Sequence, residues 1–223
     1  MGGIAGILYV VIALVAGALP GAAPTADGKA ITYQNYFISK QSLLVMQGWL
    51  FPLAVPLLLM FSVAVSRTLR RSNGYLGELF LTAQMIIGAL LIVTMGLQIA
   101  IAQAAAELDS QLLYTIGAHF PAITILAWGF VTGIAAFAYA FSVLNTADLP
   151  RWTAYVATLT VLVCVGSTVG VFITDGPLSP EGGFTAFAPA VSTLAWYLVV
   201  SIALIRASER KLHQTALPNN VTG

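Results

Sequence analysis

Apolar residues come in six long blocks separated by shorter polar stretches, over about 3–20, 45–66, 77–101, 118–143, 152–174 and 186–206. Each approaches the roughly 20 residues that a helix needs to cross the hydrocarbon core. A helix satisfies its backbone hydrogen bonds within one segment, which an apolar run inside a bilayer requires. The pattern therefore predicts an all-α fold: a six-transmembrane-helix bundle over 1–206, followed by a polar tail over 207–223. The first block, "GIAGILYVVIALVAGALP", is the shortest and is followed by small residues, so a cleaved signal peptide is the competing reading. No basic residue precedes the apolar run, which favours a retained helix. Gly2 does not make a myristoylation site, because position 6 is Gly6 rather than Ser or Thr.

Composition agrees with the blocks. Hydrophobic residues make up 59% of the 223, and charged ones only 8%, against about 25% charged in soluble domains. The few charges also orient the chain. Arg67, Arg70, Arg71, Arg151, Arg206, Arg210 and Lys211 fall in alternate gaps and the tail, leaving only Lys29 and Lys40 on the other side with most of the acids. Positive-inside reasoning then puts both termini in the cytoplasm. The gaps 67–76 and 144–151 are short, whereas the outer gaps 21–44, 102–117 and 175–185 are longer. The first outer gap contains Tyr33, Tyr36, Phe37 and Lys40, a composition suited to a short element at the outer interface or, alternatively, a lid over a ligand.

Several local signals refine the helices. Asp148 can cap the fifth span, with Pro150 in its first turn and Trp152 at headgroup level. Ser72 or Asn73 can cap the third, with Glu78 in its first turn near the positive end of the helix dipole; a proton relay is the other reading of Glu78. Pro52 and Pro56 each remove a backbone hydrogen bond and predict a bend in the second span. Gln84, Gly88, Leu91, Met95 and Gln98 share one face of the third span. Thr153, Ala157, Thr160, Cys164, Ser167, Val171 and Thr174 share one face of the fifth. Small and hydroxyl-bearing faces are where membrane helices meet, so both stripes are expected to pack inward; lining a polar path is the alternative.

Chemistry is sparse. His119 opens the fourth span, and Gln47, Gln98, Thr174 and Trp196 lie at a similar depth, so these five can form an outer pocket. The span centres carry no Asp, Glu, Lys or Arg, the residues on which ion-coupled transport usually depends. No metalloprotease, phosphate-loop or nucleophile-elbow motif occurs, and the lone Cys164 reads as a packing residue, so no metal or cofactor is expected. A net charge of +1 gives no concentrated basic footprint for nucleic acid. The sequon at Asn220 falls on the cytoplasmic side by this orientation and carries no weight.

The segments "GIAGILYVVIALVAG", "RTLRRSNGYLGEL" and "LNTADLPRWTAYVATL" are similar to an uncharacterised family of bacterial six-helix integral membrane proteins. That resemblance implies a compact bundle in the bacterial cytoplasmic membrane, without any activity or catalytic residue to carry across. The leading expectation is a non-catalytic accessory subunit, in contact with membrane lipids and other membrane protein subunits of a transport or envelope complex. The alternative is a carrier of a lipid or neutral small molecule with an outward pocket. A third reading is a membrane enzyme using His119 with Asp109 or Glu107.

Overall fold

In the computed structural model the described residues are 1–21, 24, 30–71, 73–146, 149–173, 176–179 and 182–216, with backbone alone for 118–125, 186 and 210–216. They contain α-helices and one short 3-10 helix, and no strand among the described residues. The helices are α1 (Gly2–Ala18), α2 (Ala30–Ser39), α3 (Gln41–Leu69), α4 (Gly74–Ala104), α5 (Ser110–Asn145), α6 (Arg151–Thr168) and α7 (Gly183–Ala216), with the 3-10 turn at Val169–Phe172 after α6. Stretches within α3, α4, α5 and α7, and α6 with its 3-10 turn, are long and apolar enough to cross a membrane; α1 is apolar but has 17 residues. Ser72, Asp148, Thr174, Asp175, Glu181 and the sequon at Asn220 lie outside the described residues.

The six longer helices form a ring in chain order. α1 packs on α3, α3 on α4, α4 on α5, α5 on α6, α6 on α7, and α7 closes against α1. Small residues permit the closest approaches. A Cβ on Gly3 would stand 2.6 Å from the Ser201 carbonyl oxygen, and one on Gly6 would collide with Ser201 Oγ and Phe61. Backbones that meet through small residues gain dispersion contact where lipid supplies no hydrophobic drive. Between α5 and α6 the same device recurs, since a Cβ on Gly129 would lie 2.7 Å from the Cys164 carbonyl.

Aromatic side chains fill the ring toward the end that carries Arg67, Arg70, Arg71 and Arg151. Trp196 stacks at a tilt on Tyr197 with centroids 5.1 Å apart, and meets Tyr139 at 5.6 Å and Phe80 at 6.2 Å. Tyr197 in turn meets Phe61 at 5.3 Å and Tyr9 at 5.9 Å. Five helices thus contribute rings to one continuous plug. Tilted and edge-on aromatic pairs add about 0.5–1.5 kcal/mol each beyond the area they bury.

At the opposite end, α2 forms a small second core. Tyr33, Ile101, Ala105 and Leu113 pack together there, and Gln34 Nε2 donates to the carbonyls of Ala105 and Leu108 at 3.1 and 2.9 Å. The short element expected after the first block is this helix. Partial burial raises the Tyr36 phenol above its ordinary pKa.

Several boundaries differ from expectation. α5 begins at Ser110, well before position 118, because Asp109 Oδ1 accepts from the Gln111 and Leu112 amides and starts the helix early. α7 runs on to Ala216, so the start of the stretch read as a tail is helical. Asn73 caps α4 through Leu76 N at 3.3 Å, but the helix starts at Gly74, which puts Glu78 just beyond the first turn. Pro150 is the cap residue of α6 rather than a first-turn residue, and its carbonyl accepts from Thr153 N at 3.0 Å. α3 continues without interruption through Pro52 and Pro56.

Candidate functional site

The half of the ring away from the arginines holds a cavity of about 540 Å³. That lies within the roughly 300–1,000 Å³ typical of small-molecule sites. All six ring helices contribute to its wall, which includes Tyr9, Phe51, Leu91, Trp128, Thr132 and Leu194. The wall contains no Asp, Glu, Lys, Arg or His. Its floor is the aromatic plug, since Tyr9 belongs to both.

An ordered amide chain runs through the wall at Gln98. Its Nε2 donates to Gln47 Oε1 at 2.7 Å and to the Leu44 carbonyl at 3.2 Å; Gln47 Nε2 donates to the Ala16 carbonyl at 3.0 Å. The carbonyl partners fix which end of each amide is nitrogen, because an oxygen turned toward Leu44 or Ala16 would repel. The chain therefore has a direction, from α4 through α3 to the C-terminal end of α1. The Ala16 carbonyl also accepts from the Leu19 N–H at 3.3 Å, so Gln47 adds a second donor at the end of α1. Both amide hydrogens of Gln98 are engaged, whereas among the described residues its Oε1 accepts from nothing.

The rest of the polar wall is hydroxyl, and Thr94 spends its proton on the Leu91 carbonyl at 3.1 Å. Thr132 is 2% exposed and Tyr9 4%, and both line the cavity without a hydrogen bond among the described residues. Thr193 and Cys164 occupy each other, Sγ to Oγ1 at 3.7 Å, and Thr185 donates to the Leu178 carbonyl at 3.1 Å. The unengaged groups are thus one amide oxygen and two hydroxyls, all neutral, in an otherwise apolar wall. Such a site can hydrogen-bond a hydroxyl or carbonyl; an ion inside it would lose its hydration without a counter-charge.

Of the residues expected in an outer pocket, Gln47 and Gln98 come together and Gln98 lines the cavity. Trp196 does not line it. Its ring is fully buried in the aromatic plug, nearer the arginine end. An indole at a span end and one in a core look alike in sequence, which is why depth alone misplaced it. The His119 side chain and Thr174 lie outside the described residues.

The stripe residues Gln84, Gly88, Thr160, Cys164 and Ser167 are all buried. Thr160 Oγ1 donates to the Ser192 carbonyl across to α7 at 3.2 Å, and Cys164 also touches the cavity. Val171 leaves the stripe and is 40% exposed, because the 3-10 turn shifts the angular register. Gln84 Oε1 accepts from the Tyr197 hydroxyl at 2.7 Å, while Gln84 Nε2 and Trp196 Nε1 are buried without a partner among the described residues.

Sequence reasoning did not single out Tyr9, Trp128 or Thr132. The signal was present in "WGFVTG", where Gly129 and Gly133 flank the wall residues and bring α6 close. Comparison with protein-family models, with curated proteins and with solved structures finds no match to this chain.

Proposed function

We propose that this protein is a multipass membrane protein that binds a neutral, long-chain lipid bearing a hydroxyl or carbonyl group. One observation carries the reading: a cavity of about 540 Å³ at the centre of the ring, apolar-walled, uncharged, with Gln98, Thr132 and Tyr9 as its unengaged polar groups. The lipid chain takes the apolar wall and the polar group takes one of these three. In the proposed topology all six ring helices span the membrane, the arginine end faces the cytoplasm, and the cavity lies in the outer half. Gln47 and the glycine contacts tie α1 to α3 and α7, which supports a retained first helix rather than a cleaved leader.

The accessory-subunit expectation rested on helices with packing faces and no visible chemistry; the cavity supplies what that reading lacked. An enzyme built on Asp109 has less support, because one Asp109 carboxylate oxygen is already engaged in capping α5.

Native mass spectrometry of protein released from its own membranes in mild detergent tests the binding. The expected spectrum carries a neutral lipid adduct that survives activation energies sufficient to strip annular phospholipid. Adducts consisting only of phospholipids that leave together would overturn the reading.

A further inference from the structure

Taking the binding reading as its premise, we infer that the lipid reaches the cavity sideways from the membrane, through a slot between α1 and α7 at the end away from the arginines. The glycine and aromatic contacts between these two helices lie toward the arginine end. Gly3 and Gly6 lie against Ser201 and Ile205, and Tyr9 meets Tyr197. Farther along, each leans on a different neighbour. α1 is held to α3 by Gln47 and the Ala16 carbonyl, while α7 is held to α6 by Thr160 with Ser192 and by Cys164 with Thr193.

The cavity wall reaches the surface between them. Leu14, Phe187 and Val191 all line the cavity, yet they are 56, 64 and 63% exposed. A residue of a closed interior would not combine the two. Gly17 and Ala190 complete the rim, and a Cβ on Gly17 would meet nothing within 4 Å. The rim is wholly apolar, which suits a chain arriving from hydrocarbon and not a solute arriving from water. Among the described residues no hydrogen bond joins α1 to α7, so between these residues only dispersion contacts resist widening of the slot. The glycine contacts at the other end act as the fixed edge about which the two helices part.

The test uses the full chain in phosphatidylcholine vesicles with Trp49→Phe and Trp152→Phe, leaving Trp128 at the cavity wall and Trp196 in the plug. A dibrominated stearyl alcohol is added, and bromine quenching of Trp128 is followed by stopped flow. Gly17→Phe and Ala190→Phe, made singly and together, fill the rim at positions where the added ring faces outward space. The expected result is a quenching rate at least tenfold lower in the double variant, with a similar final amplitude. An unchanged rate in all three variants would overturn the lateral route and leave lipid binding standing. No quenching of Trp128 in the unblocked protein would overturn the binding reading itself. Thermal melting of each variant identifies any that has lost its fold, and the remaining variants then decide.

Discussion

Gln98 and Thr132 both line the cavity, but only the first is also tied into the bundle. Replacing Gln98 with Leu leaves Gln47 Oε1 without its donor, as well as removing a bond to the Leu44 carbonyl. Gln47 is half-buried, so the unpaired acceptor costs about 1 kcal/mol, the low end of the penalty for a buried one. The expected outcome of Gln98→Leu is therefore a clearly lowered melting temperature in detergent, along with weaker lipid binding. Thr132 has no protein partner to strand, so Thr132→Val should leave the melting temperature unchanged or slightly higher. Its effect belongs to the ligand: one lost hydrogen bond of about 0.5–1.5 kcal/mol lowers affinity for the brominated alcohol about 2- to 13-fold in a quenching titration. Tyr197→Phe gives a third contrast. It deprives the buried Gln84 amide of its remaining bond, so the single change should cost about 1–3 kcal/mol, while Tyr197→Phe with Gln84→Met should recover most of it. Thermal denaturation of the single and double variants reads this directly.

Helices are where the sequence was most legible, and their neighbours were least so. The apolar blocks yielded the ring helices because length and hydropathy are local properties that a bilayer enforces. Neighbour choice leaves a fainter mark. α1 packs on α7 through Gly3 and Gly6, but its own hydropathy is uniform enough that the glycines alone carry the signal. Gly6→Val should break that contact by driving a branched side chain into Ser201 and Phe61, at a cost of about 1–3 kcal/mol for overpacking. Gly17→Ala, one side of the slot, meets no atom and should stabilise α1 by up to about 1 kcal/mol through helix propensity. Comparing the two melting temperatures checks whether α1 meets α7 at one end only. The helices α5 and α7 extend beyond their apolar blocks for a different reason: hydropathy marks the apolar stretch, not where a helix's hydrogen bonds begin.

Across the whole molecule, the arginines and the cavity sit at opposite ends. The arginines flank the aromatic plug, and the uncharged cavity occupies the other half. If the proposed topology holds, cysteines introduced at the exposed positions Asn73 and Ser208 label only from the cytoplasmic face of spheroplasts, and one at the exposed Lys40 only from outside. Labelling of Asn73→Cys from outside would invert the assignment. The amide pair of Gln47 and Gln98 was legible because both lie one turn or so inside their spans on the same side. The cavity was not, since it arises from what six helices leave unfilled, and no single segment records that volume.

The ring closes between its first helix and its last, and this bears on how the protein is made. In the proposed topology, while the ribosome delivers α3 to α6, α1 has α3 as its main neighbour, and its glycine face waits in the bilayer for a helix almost two hundred residues downstream. Contacts that distant in sequence are slow to form, because a long loop of chain must close before they stabilise anything. The wall that α7 supplies to the cavity is therefore assembled last. In that topology the interior lies open to the membrane along one side during biogenesis, and the inferred slot is the part of that opening that completion leaves unsealed.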